Sequence, residues 1–491
     1  MRSLVFFSIL PVALLSTLSS CKTSFEGEQF TNLAPETYTI IDTIIRVGED
    51  RLTSQVTLNW WGDDADGYVI GFEYSFDAEL TETTNWKYIE RQDSTFILSP
   101  AAGEDSANYV FHIRAIDNHE LKDPTPAQLI IPVKNSPPTI VLVPGINNPK
   151  KSFPVLKYYW SAGDPDGDNN ISYFELFFND TTESPYILEG TATSAIFEAL
   201  DASAENFTCN VFVNANTVAE EDAIGGLTAN AWNRLYIRAI DQSNARSAFA
   251  ISDSVFVKKV NSNILLVDGY TTSSPLDFYT GNLSENGFST VDTMQVFEKV
   301  GGLYTQQSAD NITQEKIFNL FDVILWFSND ADNSFSLAQK TSSTFFSSGG
   351  KMLMSVYISS SFDPLSNFLD FTPIASLVDP SDTTLILDLD AELIPQEAGY
   401  TALKGTSIVG IVKPITLQPG AVALYHAQLT AKDNITLTFS PWDGISTVIA
   451  KKNSLGGTTN FVISTLELQK LDGFGNMADF FQKILIDEFG L

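Results

Sequence analysis

Residues 109–117 read YVFHIRAID, and residues 235–241 read LYIRAID. Apolar and polar side chains alternate in both segments, which predicts strands with one buried and one solvated face. Upstream of each segment stand a tryptophan-bearing strand, an Asp/Gly turn and an alternating strand that contains Phe-Glu. The same pattern therefore occurs twice, over residues 36–134 and 138–260, and it predicts two related all-β sandwiches.

The upstream halves of the two repeats are VTLNWWGDDADGYVIGFEYSFD (56–77) and LKYYWSAGDPDGDNNISYFELFFND (156–180). Trp60 and Trp160 are placed to fill the space between two sheets. The whole pattern resembles fibronectin type III and related immunoglobulin-like domains, and this resemblance implies a fold and not an activity. The Ser-Pro-Pro sequence that begins at Ser136 indicates a hinge between the repeats.

From residue 263 the sequence changes to continuous apolar strands separated by helical patterns. The strands are ILLV (264–267), DVILWF (322–327), KMLMSV (351–356) and NFVIST (460–465). Continuous apolar strands indicate a parallel sheet buried on both faces, and helices are predicted around 275–286, near 334–348 and from Asn476. This alternation predicts an α/β, doubly wound, flavodoxin-like three-layer domain over 263–491, in which 379–450 forms an insertion or edge strands.

The order of these strands resembles the class I glutamine-amidotransferase-like fold, and more narrowly its non-catalytic copies. Catalytic members carry a Cys on the turn after the third strand, with a His to take its proton. The matching residues 355–359 read Ser-Val-Tyr-Ile-Ser, and the late strand ends Ser-Thr-Leu-Glu, so both catalytic side chains are missing. We therefore predict that the domain is not an enzyme. Two alternatives stay open: a dyad of Ser355 or Ser359 with His426, and a pair of acids of the kind that glycosidases use.

A ligand of this domain should lie outside the carboxyl ends of the parallel strands. Six side chains are predicted at that edge: Asp268, Ser328, Asn329, Asp330, Tyr357 and Glu467. A role as ordinary loop residues explains each of them equally well.

Two Asp-rich turns are candidates for calcium binding, because closely spaced carboxylates beside a flexible Gly can wrap Ca²⁺. The stronger candidate contains Asp164, Asp166 and Asp168, and the weaker one spans 63–67. Neither has the length or the distal Glu of an EF-hand loop, and Asp and Gly are also common turn formers. No other cofactor is predicted.

The first 21 residues read MRSLVFFSILPVALLSTLSSC, with a positive Arg2, a short apolar core and small residues before Cys21. This arrangement resembles the bacterial lipobox. The resemblance implies a signal peptide over 1–20, lipid on Cys21 and a tether over 21–35; the alternative is an ordinary secretory signal. Lys22 in place of an Asp favours the outer membrane, without fixing the periplasmic or the surface-exposed face.

The formal net charge is −32, from 60 Asp and Glu against 28 Lys and Arg, which disfavours binding to nucleic acid. Cys209, in the apolar run FTCNVFV, is predicted to be a buried thiol. We therefore expect a non-enzymatic envelope protein that binds or scaffolds a protein or glycan partner. The alternatives are a hydrolase with an unfamiliar site in 263–491 and a carbohydrate-binding lipoprotein of an uptake system, which would use exposed aromatics such as Trp61, Trp86 and Tyr159.

Overall fold

The computed structural model describes residues 31–40, 52, 55–101, 104–144, 148–300, 303–306, 309–359, 362, 371–454 and 456–491. The predicted signal peptide, Cys21 and most of the predicted tether lie outside these residues. The chain divides into two compact units: the first takes in residues up to 98 together with 106–134, and the second takes in 99–105 and 135–491. The second predicted sandwich and the C-terminal domain therefore belong to one unit. No helix among the described residues has the length and apolar character needed to cross a bilayer.

The first unit is a two-sheet β-sandwich. Its strands are β1 (Glu36–Thr39), β2 (Gln55–Asp63), β3 (Val69–Ser75), β4 (Lys87–Ile89), β5 (Asp93–Ile97), β6 (Ser106–Asp117) and β7 (Ala127–Lys134). They pair in the orders β1-β2-β5 and β4-β3-β6-β7. Trp60 is 1% exposed and packs between the sheets, with its ring 6.3 Å from Phe72 and 5.7 Å from Phe111. This confirms the predicted role of the tryptophan.

The second unit begins with a larger sandwich. Its strands are β8 (Thr139–Leu142), β9 (Lys151–Ser152), β10 (Val155–Gly163), β11 (Ile171–Phe178), β12 (Tyr186–Glu189), β13 (Ser194–Ala199), β14 (Asn206–Val213), β15 (Ile224–Thr228), β16 (Ala231–Asn233), β17 (Leu235–Asp241), β18 (Ala250–Ile251) and β19 (Val255–Val257). Their sheet orders are β15-β14-β13-β10-β8, β12-β11-β17-β18 and β16-β19-β9. Trp160 is 3% exposed and lies 5.7 Å from Phe174 in the core, as predicted.

The charged residues of the repeated pattern pair with each other. Glu73 of β3 lies opposite Arg114 of β6 in the strand register, and their side chains form an ion pair of 2.7 Å. Glu175 of β11 lies opposite Arg238 of β17 in the same way, at 2.5 Å. The Phe-Glu and Arg-Ala-Ile-Asp halves of the motif are therefore cross-strand partners, which explains why they occur together.

The C-terminal part of the second unit is built on a nine-stranded mixed sheet. Its elements are β20 (Ile264–Asp268), α1 (Leu276–Glu285), β21 (Asp292–Gln295), β22 (Phe297–Val300), β23 (Leu303–Gln306), α2 (Asn311–Phe318), β24 (Val323–Ser328), α3 (Ala331–Thr341), α4 (Ser343–Ser347), β25 (Lys351–Val356), β26 (Ile374–Leu377), β27 (Thr383–Ile386), β28 (Glu392–Pro395), β29 (Leu403–Lys404), β30 (Ile415–Leu417), β31 (Val422–Ala427), β32 (Thr430–Asp433), β33 (Phe439–Pro441), β34 (Thr447–Asn453), β35 (Thr459–Ser464) and α5 (Met477–Gln482), which continues as a π-helix (Lys483–Glu488).

The large sheet has the strand order β21-β20-β24-β25-β35-β34-β31-β28-β29. The first five strands are parallel, and counted along the chain their order is 2-1-3-4-5. The other four continue the sheet as antiparallel strands, and three of them fall within 379–450, which was predicted to hold edge strands or an insertion. The flavodoxin-like three-layer class is not established, because helices are few and short and the antiparallel strands make up nearly half of the sheet.

The second sandwich and the C-terminal domain share a hydrophobic core. Phe153, which precedes β10 and is 2% exposed, packs edge-on against Phe321 at 5.1 Å and belongs to the same apolar cluster as Val267 of β20. Lys316 of α2 pairs with Glu198 of β13 at 2.6 Å. Because apolar and ionic contacts both cross this boundary, we expect the two parts to behave as one folding unit.

Candidate functional site

The six side chains predicted for the carboxyl edge of the parallel sheet stand at or after the ends of β20, β24, β25 and β35, and most of them serve local structure. Ser328 is fully buried, and its hydroxyl donates to the carbonyl of Gly269 at 2.9 Å. The Asn329 side-chain oxygen accepts from the backbone N–H of Thr271 at 3.0 Å. Asp330 caps α3 by accepting from the N–H of Asn333 at 3.1 Å. These three residues join the loops after β20 and β24, while their predicted ligand binding stays a prediction.

Asp268 ends β20 and is 5% exposed. Its carboxylate accepts from the backbone N–H of Tyr270 at 3.0 Å. Burial raises the pKa of Asp268, although hydrogen bonds from Ser274 and Tyr270 oppose the rise.

Glu467 anchors a polar network that the sequence did not reveal. Its carboxylate accepts from the hydroxyl of Tyr270 at 2.8 Å and forms an ion pair with Lys470. The Gln469 amide donates to the same Tyr270 hydroxyl at 2.6 Å. Tyr357 is half-buried near Lys470, whose amino group lies 6.0 Å from the centre of its ring. Burial raises the pKa of Tyr270, so this hydroxyl acts as a neutral hydrogen-bonding group.

Ser355 lies in β25, one residue before the strand ends, and is the first residue of the stretch 355–359 considered for a nucleophile in the sequence. It is 2% exposed and accepts hydrogen bonds from the Tyr279 hydroxyl and the Leu468 N–H, both at 3.1 Å. Its own hydroxyl donates to the carbonyl of Leu466 at 3.2 Å. Tyr279 is itself buried and stacks on Phe327 with ring centroids 4.1 Å apart. The Ser355 oxygen therefore faces structural donors, and a ring fills the space beside it.

The hypothesis of a Ser355–His426 dyad is wrong. Ser355 on β25 and Tyr425 on β31, the residue before His426, lie in the same row across the sheet. Two strands, β35 and β34, separate them. Neighbouring strands lie about 4.8 Å apart, so three steps place β31 roughly 14 Å from Ser355. A nucleophile and its base must lie within hydrogen-bonding distance. The Ser359 alternative stays a prediction.

The predicted calcium trio stays a prediction, because the side chain of Asp168 lies outside the described residues. No group of three or more His, Cys, Asp or Glu side chains in the described ranges is arranged to hold a metal ion. Asp164 Oδ1 accepts from the N–H of Asp166 at 2.7 Å, which forms a local turn. Asp168 begins a short 3₁₀ turn (Asp168–Asn170). Part of the Asp-rich pattern therefore forms a turn, as Asp and Gly commonly do.

The Asp-rich turns also fasten the segment that leads into each sandwich. In the first unit the N–H of Leu33 donates to Asp66 at 3.1 Å, and Asn32 donates to Asp117. In the second unit the N–H of Ser136 donates to Asp166 at 2.9 Å, and Asn135 donates to Asp241. Ser136 is 5% exposed, so the predicted hinge is bound to the second sandwich at this point.

The aromatic residues predicted to bind sugars are mostly covered. The Arg114 guanidinium lies 4.0 Å from the centre of the Trp86 ring, and the Lys157 amino group lies 4.8 Å from that of Tyr159. Trp61 is 46% exposed and stacks on Tyr38 at 4.4 Å. It is the one residue of the three that presents a large free surface.

A cleft of about 480 Å³ opens between the second sandwich and the start of the parallel sheet. It is lined by Lys150, Lys151, Lys258, Trp232, Met294 and Asp268. Trp232 is 51% exposed, and the Lys258 amino group is held in place by the carbonyl of Thr293 at 2.7 Å. In a chain of net charge −32, this cluster of lysines beside an exposed indole suits a ligand with anionic and flat apolar parts.

Cys209 lies fully buried in the core of the second sandwich, as predicted. Burial, reinforced by the negative charge of Glu198, raises the pKa of its thiol to about 12. The thiol is therefore protonated at neutral pH and is not a nucleophile.

No protein-family model matches this chain, and no curated protein matches it. Three similar solved structures are fibronectin(III)-like modules of Clostridium thermocellum CbhA (12% identity, 45% of this chain, 94% of that chain, TM-score 0.18), the central fibronectin-III array of RIM-binding protein (12%, 47%, 71%, 0.15) and the chicken interferon gamma receptor alpha chain (9%, 46%, 100%, 0.20). Two of the three are fibronectin type III modules, the class that the sequence predicts. At these TM-scores the likeness carries no argument, and the β-sandwich architecture rests on the sheets of the chain itself.

Proposed function

We propose that this chain is a cell-envelope lipoprotein, anchored in the outer membrane through lipid on Cys21, that works by binding a protein or glycan partner. On this proposal the C-terminal domain is a non-catalytic relative of the glutamine-amidotransferase-like fold. β-Sandwich units support a binding or scaffolding role, since their function lies in the surfaces that they present.

One observation carries the non-catalytic part of the proposal. The Ser355 hydroxyl belongs to the stretch 355–359, which matches the turn that bears the thiol in catalytic members of the resembled fold. It is buried and engaged by Tyr279 and by the backbone of Leu466 and Leu468, which follow β35. A nucleophile has to be activated by a base and reached by a substrate. A hydroxyl that is enclosed and held by structural partners meets neither condition.

Anchoring is tested by replacing Cys21 with Ala and Lys22 with Ala, one at a time, in cells that express the full chain. We expect the C21A protein to leave the membrane fraction and the K22A protein to remain there, because stable anchoring needs the acyl chains. Mass spectrometry of the mature N-terminus should show a lipid-modified cysteine. An unmodified Cys21, or membrane retention of C21A, would contradict the anchor.

Partner binding is tested by cross-linking in intact cells, followed by purification of the chain and identification of the attached molecules. A scaffolding protein should give the same cross-linked partner repeatedly, and the mislocalised C21A protein should lose it. Recovery of the chain alone from intact cells would argue against a scaffold.

A second candidate, a glycan-binding lipoprotein, is favoured by the cleft beside Trp232. An exposed indole can stack on a sugar ring, and Lys150, Lys151 and Lys258 would select saccharides that carry carboxylate or sulfate groups. Trp232→Ala should abolish binding to acidic saccharides on a glycan array, whereas Trp61→Ala, which removes an equally exposed indole from the first unit, should preserve it. Equal binding by both variants would exclude this cleft.

A further inference from the structure

Two carboxylate oxygens in the second sandwich are buried without a hydrogen-bond partner. They are Asp164 Oδ2 and Asp166 Oδ1, which belong to side chains that are 7% and 9% exposed. Both side chains are held in one turn, since the other oxygen of Asp164 accepts the N–H of Asp166 and the other oxygen of Asp166 accepts the N–H of Ser136. Each carboxylate is therefore fixed in place with one lone oxygen enclosed.

This arrangement concentrates negative charge. Burial and the charges of Asp166 and Asp241 disfavour a negative charge on Asp164, whereas hydrogen bonds from the Asp166 backbone and the Asn170 side chain favour it. The basic residues close by are used elsewhere: Arg238 and Arg246 both pair with Glu175. None of the ion pairs formed within the described ranges includes Asp164, Asp166 or Asp241. Enclosed carboxylates without a cation are strongly destabilising, so a missing positive charge is the simplest completion of the site.

The first sandwich has the same feature at the matching position. Asp64 stands four residues after Trp60, as Asp164 stands four residues after Trp160. Both carboxylate oxygens of Asp64 are shielded from solvent, although the residue is only half-buried and the Asp66 backbone hydrogen-bonds to this carboxylate. A purely structural turn requires only carboxylate oxygens that accept backbone N–H groups. It does not explain why further carboxylate oxygens are enclosed in both repeats.

We propose that the Asp164–Asp166 turn binds one calcium ion, with Asp164 Oδ2 and Asp166 Oδ1 as its charged ligands. Ca²⁺ is a hard cation that takes six to eight oxygens, and peptide carbonyls and water complete such sites when carboxylates are few. A site with two carboxylate ligands belongs to the weak extracellular class, with a dissociation constant of roughly 10⁻⁴–10⁻³ M. Both residues belong to the predicted trio, whose third member, Asp168, has a side chain outside the described residues.

Calcium at this turn would also hold neighbouring segments of the second unit. The Ser99 hydroxyl donates to the carbonyl of Asp166 at 2.6 Å, and the Ser136 N–H donates to its carboxylate. The Ser243 hydroxyl donates to the carbonyl of Glu104 at 3.1 Å. Ser99 and Ser136 therefore both contact Asp166, and their attachment to the turn should depend on the cation.

The test uses the full mature chain, freed of metal by chelation and titrated with CaCl₂ in a calorimeter. With a dissociation constant of about 1 mM, 10 mM Ca²⁺ should shift the folding equilibrium of the second unit about elevenfold. Trypsin cleavage after Lys134 should slow by a similar factor, because the bond adjoins the segment that the site holds. Asp164→Asn and Asp166→Asn should lose one equivalent of bound Ca²⁺ and the protection after Lys134.

Asp180→Asn is the matched control, because this turn aspartate of the same sandwich has its carboxylate occupied by Thr182. It should bind calcium and be protected as the unmodified chain is. Calcium binding that survives in both turn variants would place the ion elsewhere. No binding heat and no change in cleavage up to 10 mM Ca²⁺ would overturn the proposal, and neither result would bear on partner binding through the Trp232 cleft.

Discussion

Phe153→Ala tests whether the second sandwich and the C-terminal domain fold together. Phe153 is 2% exposed, packs edge-on against Phe321 at 5.1 Å and lies under the Lys258 amino group, 5.4 Å from its ring centre. Removing a buried phenyl ring costs about 3–5 kcal/mol, because the lost burial is followed by a cavity that neighbours fill incompletely. The ring belongs to an apolar cluster that contains residues of the second sandwich and of the C-terminal domain. The substitution should therefore destabilise both parts.

The magnitude follows from the size of the cooperative unit. The second unit has about 360 residues, and a per-residue unfolding entropy of ~2.1 cal/mol/K gives roughly 0.8 kcal/mol/K. A loss of 3–5 kcal/mol should then lower its midpoint of thermal unfolding by about 4–7 °C. The calorimetric trace of the full chain should contain one transition for this unit, displaced as a whole by the substitution.

Phe249→Ala is the control for this experiment. Phe249 is half-buried on the second sandwich, 5.7 Å from Phe177, and is not part of the shared cluster. Because part of its ring already meets water, its loss should cost about 1–2 kcal/mol. Separate transitions for the sandwich and the C-terminal domain, with Phe153→Ala lowering only one of them, would refute the shared-core argument. Equal shifts for the two variants would refute it as well.

Three further predictions concern single buried groups. Burial alone would raise the pKa of Glu488, but hydrogen bonds from Thr459, Lys451 and Tyr400 outweigh burial and lower that pKa. The stability that Glu488 contributes is therefore present above about pH 4.3, the pKa of an unfolded Glu. It is lost as the pH falls through the lower folded-state pKa. Glu488→Gln should cost about 1.5–3 kcal/mol at pH 7 and flatten the acid limb of urea-denaturation midpoints; an unchanged limb would contradict this assignment. Cys209, fully buried with a thiol pKa near 12, should resist iodoacetamide at pH 8 in the native chain and react only in denaturant, as followed by mass spectrometry; rapid native labelling would mean that its core opens. Ser355→Ala removes the acceptor of the Leu468 N–H and the nearer of two acceptors of the Tyr279 hydroxyl, which keeps Gln469 at 3.4 Å. It should lower the free energy of unfolding by about 1–3 kcal/mol while partner binding is unchanged. Loss of binding at unchanged stability would give Ser355 a direct role.

The strands of the C-terminal sheet were predictable because their signal is local. Four continuous apolar runs gave β20, β24, β25 and β35 with bounds close to those observed, since a strand buried on both faces needs apolar residues at every position. The repeated Trp, Phe-Glu and Arg-Ala-Ile-Asp elements gave both sandwiches for a similar reason. Their partners stand at fixed places in neighbouring strands, so the pattern encodes the pairing.

The helices show where local patterns fail. Helix α2 (Asn311–Phe318) was missed because it buries Thr313 and Gln314, which read as polar and interrupt the apolar stripe. The helix predicted near 334–348 is two helices, α3 and α4. The hydroxyls of Thr341 and Ser342 donate back to carbonyls four residues earlier at the point where α3 ends, an arrangement that bends or ends helices.

The candidate site was predictable as a location but not as chemistry. Parallel strands direct their carboxyl ends to one edge, and Asp268 and Ser328 do end β20 and β24, while Glu467 stands three residues after β35; ligand binding at this edge stays a prediction. Tyr270 and Tyr279 occupy that edge through contacts with residues about 190 positions away in the chain. The hydrogen bond from Tyr279 to Gln469 is one of them. No pattern in a short window carries that information.

The second sandwich departs from the first in one sheet, and that sheet lines the cleft beside Trp232. Both sandwiches share the internal Glu–Arg ion pair and the Asp turn that fastens the segment leading into the sandwich, so these features account for folding and not for a particular partner. The sheet β16-β19-β9 has no counterpart among the described strands of the first unit. It supplies Lys151 and Trp232 to the cleft, and Lys258 follows its middle strand. This sheet also packs Val255 and Val257 into the core of the second sandwich, so it holds its cations and exposed indole on a rigid base beside the first parallel strands, and the search for a ligand should begin there.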